Sequence, residues 1–204
     1  MQIDGISEVD ESESRHDALL QAAVGVFARY GFRKTSMDEV ARAAGVSRQG
    51  LYLLFEDKEA LFRRAVAYRL TRQLRAAVAE LSNQRHSLEA RIIGACDEWA
   101  GRYAGLLSTD AADLMCASTS LAGGTLAHYE AQFEQALVEA IKESALANFC
   151  TAAGLLPEDV ARAVHATARG LKHGSKSRQE FVQGMTAAVR MICAPLNPRP
   201  PRQE

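Results

Sequence analysis

From residue 14 onward the apolar residues of this chain recur every three to four positions, the period of an amphipathic helix. No segment shows the strict alternation that a half-buried strand requires. Leu19, Ala22, Ala23, Val26, Phe27 and Tyr30 form the first stripe, and Gly31 follows where a left-handed helix end belongs. Ser36 and Glu39 have the spacing of a capping box, which predicts a short helix from Met37 to about Ala44, stopped by Gly45. Ser47 then caps a second short helix, Arg48 to Phe55. Asp57 caps a long one, whose apolar face is Leu61, Phe62, Ala65, Val66, Leu70, Leu74, Val78 and Leu81. Past the polar break at residues 82–87, the pattern predicts helices at 88–107, 110–119, 125–153, 157–172 and 178–193. Gly123-Gly124 supplies the break between the second and third of these, and Pro157 suits a helix start. The fold class is therefore all-α, with about nine helices.

Composition supports this and narrows it. Hydrophobic residues make up 48% of the 204 residues and charged residues 24%, enough apolar material for a buried core. Residues 1–13 are acidic and unpatterned and read as a disordered tail. Residues 195–204 contain four prolines and read as a second one. Cys96, Cys116, Cys150 and Cys193 are far apart, with no Cys-x-x-Cys pair and no histidine at ligand spacing. They read as reduced thiols, and neither a metal nor another cofactor is expected. No apolar run approaches a membrane span, and acids occupy the N-terminus where a secretory signal carries lysines. A cytoplasmic protein without membrane contact is expected.

The candidate chemistry lies in the two short helices. Ala44-Gly45-Val46-Ser47 joins them with the length and punctuation of a helix-turn-helix, and Val40, Ala41, Val46 and Leu51 can form its small core. A helix presented rigidly in this way can enter the roughly 12 Å major groove of DNA. Arg48 and Gln49 open the second helix with side chains able to grip guanine and adenine, and Gly50 lets the backbone come close. Thr35, Ser36, Ser47, Tyr52 and Lys58 stand around it as candidate phosphate contacts. A net charge of −1 gives no overall basic footprint, so the placement of these groups must carry the recognition.

The run from Thr35 to Leu61, with Ala44-Gly45-Val46-Ser47 at its turn and Leu51-Tyr52-Leu53-Leu54-Phe55 closing the second helix, resembles the TetR family of bacterial regulators. Phe27-Ala28-Arg29-Tyr30-Gly31-Phe32 is similar to the end of that family's first helix. Leu54 departs from the pattern, since the family often carries there a polar aromatic residue or a histidine that touches phosphate. The resemblance implies an N-terminal three-helix DNA-binding domain at 14–60 and a helical effector-binding and dimerisation domain at 61–194. It further implies a ligand-responsive repressor that binds a palindromic operator on double-stranded DNA as a homodimer. A DNA-binding regulator controlled by a protein partner, without a small effector, is the alternative. An enzyme on a helical scaffold is remote, because the sequence holds no nucleophile triad, phosphate loop or metal-ligand spacing.

Dimerisation is expected through helices 157–172 and 178–193. Their apolar stripes are Val160, Val164, Ala168 and Leu171, and Phe181, Val182, Met185, Val189 and Ile192. The same stripes would equally serve the subunit's own core. Cys96, Trp99, Tyr103, Met115, Tyr129, Phe133 and His165 are candidates for lining the pocket of an unidentified small-molecule effector, since aromatics with polar tips suit such sites.

Overall fold

A computed structural model describes residues 5–105 and 109–196, and side chains from 15 to 105 and from 113 to 196. Its nine α-helices among the described residues are α1 (Gly5–Lys34), α2 (Met37–Ala44), α3 (Arg48–Leu54), α4 (Lys58–Ser82), α5 (Leu88–Trp99), α6 (Thr109–Lys142), α7 (Leu146–Ala152), α8 (Pro157–Gly174) and α9 (Arg178–Cys193). No described residue lies in a strand, and no helix is long and apolar enough to cross a membrane. The chain divides into two compact units. One comprises residues 1–72 and 107–127, the other 73–106 and 128–204, so α4 and α6 each contribute to both. A boundary at residue 60 would have fallen inside the continuous α4, whose first turns belong with the N-terminal helices.

The N-terminal unit is built on aromatic packing. Leu19, Leu20, Ala23, Val26 and Phe27 bury one face of α1. Phe27 meets Phe62 of α4 edge-on at 5.0 Å, and Phe32 meets the same ring at 5.0 Å. That convergence requires the chain to turn between Phe27 and Phe32. Gly31 supplies the turn, leaving helical geometry at φ 78, where a side chain would strain the backbone. Tyr30, expected in the buried stripe, lies at its rim instead and packs under Arg29. α1 also reaches back to Gly5, into the stretch expected as a disordered tail. The acidic composition of that stretch suits a helix N-terminus, where the dipole favours negative charge. Residues 1–4 and 197–204 lie outside the described residues.

The second unit packs α5, α8 and α9 with the later turns of α4 and α6. Ile92, Cys96, Phe133, Leu137, Ile141, Val164, Phe181, Met185 and Val189 make its core. Arg91 is buried there because its guanidinium closes the end of α4, donating to the Leu81 carbonyl and to Gln84 at 3.1 Å.

Three expectations about this region change. The helix at 88–107 ends at Trp99 and continues as a short 3-10 turn at Gly101–Tyr103. The break expected near Gly123-Gly124 falls at Ala122, where the backbone leaves helical geometry (φ −134, ψ 17) and two helical segments of α6 meet at a kink, whereas the helix expected to run on to 153 ends at Lys142 and resumes as α7. α6 stops at Lys142 because the Ser144 hydroxyl donates to the Ile141 carbonyl at 2.7 Å and accepts from the Leu146 amide at 3.2 Å. Finally, the stripes on α8 and α9 face inward. Val160, Val164, Ala168, Phe181, Met185 and Val189 are all buried within their own unit. These residues are core, while Leu171, Val182 and Ile192 of the same stripes are half-buried at its edge.

Candidate nucleic-acid interface

The geometry of α2 and α3 follows from three local devices. At the start of α2 the Ser36 hydroxyl accepts from the Glu39 amide at 3.3 Å, while the Glu39 carboxylate accepts from the Ser36 amide at 2.8 Å. That amide, followed by the Ser36 hydroxyl, holds the Glu39 carboxyl below its usual range, so it stays ionised. At the turn, Gly45 adopts φ 68 and ψ 25, and the Val46 amide donates back to Ala41 at 3.0 Å. At the start of α3, Ser47 accepts from the Gly50 amide at 2.9 Å. Val40, Ala41, Leu51 and Phe55 close the interface between the two helices. Val46, expected to join them, is 36% exposed and forms its rim.

The side chains expected to meet DNA divide into two groups. Arg48, Gln49, Tyr52 and the Ser47 cap are exposed along α3, with Gly50 among them. Arg48 is held on two sides. Its guanidinium donates to Asp38 of α2 at 3.0 Å and lies 5.6 Å from the centre of the Tyr52 ring. Asp38 was not singled out in the sequence, although its position ten residues before Arg48, across a tight turn, makes the pairing geometrically natural.

Thr35, Ser36 and Lys58 form the other group, and the structure engages each of them internally. Thr35 is buried, and its hydroxyl donates to the Gly31 carbonyl at 2.7 Å. The Ser36 hydroxyl and amide are both taken by Glu39, which leaves the amides of Met37 and Asp38 as the donors at the head of α2. The Lys58 ammonium donates to the carbonyls of Phe32, Arg33 and Thr35 at 3.0, 3.4 and 3.0 Å, and sits 4.5 Å from the Phe32 ring centre. An ammonium has three N–H donors, and here all three are directed at the carbonyls ending α1. These bonds tie Thr35 and Lys58 to the segment that joins α1 and α2.

The candidate effector residues come together in part. Trp99 stacks on Phe133 at 4.8 Å with planes 13° apart, and His165 meets Phe133 edge-on at 5.5 Å. Cys96 is fully buried beside them in the same core, and burial pushes its thiol up to about 12. Tyr103 and Tyr129 are half-buried, whereas Met115 is exposed and belongs to the other unit. His165 Nδ1 lies 3.3 Å from Glu134, and its Nε2 is buried with no hydrogen-bond partner among the described residues. A groove of about 330 Å³ runs between α6 and α8, bordered by Glu130, Glu134, Arg162, His165 and Arg169. Its walls are ionic rather than aromatic, and of the expected pocket residues His165 alone borders it.

Comparison with known proteins agrees with this geometry. Residues 19–65 match the family described as bacterial regulatory proteins, tetR family. The HTH-type transcriptional regulator YfiR of Bacillus subtilis is 36% identical over 89 residues, covering 44% of this chain and 42% of that protein. The HTH-type transcriptional repressor BepR of Brucella suis is 33% identical over 94 residues, covering 44% and 45%. The chain thus spans less than half the length of the curated relatives it matches. Among solved structures, a TetR-family transcriptional regulator from Mesorhizobium loti superposes with a TM-score of 0.61 at 20% identity, over 90% of this chain and 96% of that one. A transcriptional regulator from Pseudomonas aeruginosa gives 0.64 at 21% identity, over 90% and 92%. At these identities the structures establish a shared fold.

Proposed function

We propose that this chain, whose residues 19–65 match the tetR family of bacterial regulatory proteins, is a DNA-binding transcriptional repressor of that family that grips a palindromic operator as a homodimer. One observation carries the reading. α3 buries Leu51 and presents Arg48, Gln49 and Gly50 outward, held at a set angle by the Gly45 turn and two serine caps. That surface has the chemistry of base recognition. Arg48 grips a guanine and Gln49 an adenine, while Gly50 permits close approach of the backbone. Ser47, Tyr52 and the free amides at the head of α2, next to Ser36, take the flanking phosphates. The ion pair with Asp38, at 3.0 Å, orients the Arg48 guanidinium on the surface of the two helices.

A single head of this size covers only one half-site, so pairing supplies the second, about 34–36 Å away along the duplex. The faces of α8 and α9 left open by the core suit a two-fold contact. Ala163, Ala166 and Gly170 line one, and Ala187 and Met191, the latter 79% exposed, line the other. Small side chains on both allow helices to approach closely.

Selection of bound fragments from random DNA by the purified protein tests the proposal. An inverted repeat with half-sites one helical turn apart is expected. Recovery of no enriched sequence would overturn it.

Release of DNA by a small effector is the first reading of how the repressor is controlled. Such an effector would bind near Trp99, Tyr103, Tyr129 and Phe133, among neighbours that include Cys96 and His165. The stack of Trp99 on Phe133 favours the second reading, control by a protein partner, since a ligand must separate those rings to enter. Trp99 is the sole tryptophan, so its emission reports the choice directly. A compound that releases DNA and shifts that emission supports the first reading.

A further inference from the structure

The outward pole of α3 carries an apolar side chain that the described residues leave uncovered. Successive helical residues are rotated by about 100°. Leu51 and Phe55, both buried, mark the inward direction, and Leu53 points almost directly away from it. Leu53 is 81% exposed, against 43% for Tyr52 and 56% for Leu54 on the flanks. Gln49 lies one turn before Leu53 on the same pole, and Gly50 lies beside them.

Resting on the reading that α3 enters the major groove, we propose that Leu53 is a specificity-determining residue that packs on the C5-methyl of a thymine. Every other base edge in the major groove presents hydrogen-bonding groups that a leucine cannot satisfy, whereas thymine alone presents an apolar methyl. A leucine can form no phosphate hydrogen bond either, so at this position it cannot serve as a backbone contact. Tyr52 and Leu54 are also exposed on its flanks, but at the outward pole itself Leu53 is the apolar side chain, beside Gln49 and Gly50. Gly50, without a side chain, lets the helix settle deep enough for Leu53 to reach the base edges.

Spacing adds a constraint on the operator. Side chains one helical turn apart are separated by about 5–6 Å, and base pairs stack about 3.4 Å apart. The thymine read by Leu53 therefore lies one or two steps from the adenine gripped by Gln49.

The test replaces each thymine of the selected operator, one per half-site at a time, with deoxyuridine, which lacks only the methyl. Binding of full-length wild type and Leu53→Ala is then measured by fluorescence anisotropy. The variant alters an exposed position and installs the best helix former, so it leaves the fold intact. One thymine is expected to weaken wild type about fourfold per half-site on losing its methyl, the worth of one buried carbon. Leu53→Ala is expected to be indifferent at that thymine while keeping its penalty at the adenine of Gln49. Silence of every deoxyuridine in wild type, or persistence of the penalty in the variant, overturns the assignment while leaving α3 as the reader. Unchanged DNA binding with loss of self-association would place Leu53 in a protein interface instead. Failure of wild type to bind any duplex would overturn both this inference and the function it rests on.

Discussion

Lys58 discriminates between two roles that its position in the sequence leaves open, and Lys58→Met separates them. Methionine keeps the length of the stem and its packing on Phe32 but removes the ammonium that binds the carbonyls of Phe32, Arg33 and Thr35. A hydrogen bond from a charged donor contributes about 1.5–3 kcal/mol when water is excluded. Lys58 is half-buried, so water replaces part of that, and the freed carbonyls lie at a helix end where hydration is easy. A cation at a helix C-terminus adds about 0.3–1 kcal/mol, and one over an aromatic face a similar amount. After this discount, the loss expected is about 2–3 kcal/mol, summing terms that overlap. Urea unfolding of the full chain reads it as a lower midpoint at unchanged slope. DNA binding by the folded fraction should keep its dependence on salt. A lysine that contacts phosphate behaves in the opposite way, with stability nearly intact and the salt slope reduced by about one. That second pattern would refute the positioning role and return Lys58 to the DNA surface.

Two further perturbations probe the head and the core. Asp38→Asn removes a carboxylate from the DNA-facing side and releases Arg48. The bridge is exposed, so stability should change by less than about 1 kcal/mol, whereas affinity for all duplexes rises and discrimination at the guanine falls. Anisotropy on single-base operator variants measures both, and intact discrimination would show that Asp38 does not orient Arg48. In the core, burial pushes the Cys96 thiol up to about 12 and the Cys193 thiol up to about 11. The folded chain keeps protons that the unfolded chain releases from about pH 8.5. Their contribution is complete below that pH and is lost as pH climbs towards 12, by up to about 1.4 kcal/mol per unit for each thiol. Cys96→Ala should flatten the alkaline fall in stability. At neutral pH a thiol reagent should modify exposed Cys116 first, and rapid labelling of Cys96 would contradict its burial.

The bounds of α2 and α3 were legible because their signals are local. A serine accepts an amide three residues on, and a glycine adopts φ 68, whatever the rest of the chain does. The kink of α6 at Ala122 was legible from the neighbouring Gly123-Gly124, which disfavours helix by propensity. Its stop at Lys142 was not, because it rests on the Ser144 hydroxyl bonding the Ile141 carbonyl and the Leu146 amide. The stripes of α8 and α9 leave the dimer contact open for a different reason. Periodicity states that a face is covered and does not state by what, and here Phe181, Met185 and Val189 are covered from within. Thr35 and Lys58 are expected as phosphate contacts because polar residues near a helix start have that chemistry. In the structure they donate to carbonyls up to 26 residues away in the chain, a role that spacing cannot reveal. Leu53 did leave a trace. It stands two residues after buried Leu51, and residues two apart cannot share a helical face.

The near-neutral chain bears on how such a regulator achieves specificity. With Asp38 and Glu39 at the edge of the reading surface, phosphate attraction is weak, and base contacts must carry the discrimination. Each good base contact discriminates by about 1–3 kcal/mol. On the proposed reading, Arg48 and Gln49 at about 2 kcal/mol each and the fourfold effect of Leu53 together supply about 5 kcal/mol, a preference of roughly 10³–10⁴ for one head over its half-site. A genome offers on the order of 10⁶ competing sites or more, so one head is outnumbered. Two heads on a two-fold site add their free energies to about 10 kcal/mol, near 10⁷, which exceeds that number. The proposed reading surface thus calls for the proposed pairing, because a seven-residue helix has no room for a further set of contacts. A variant held monomeric by Ala166→Arg should retain its preference among half-sites yet lose the genomic operator, and retention of full operator occupancy by that monomer would break the link between surface and symmetry.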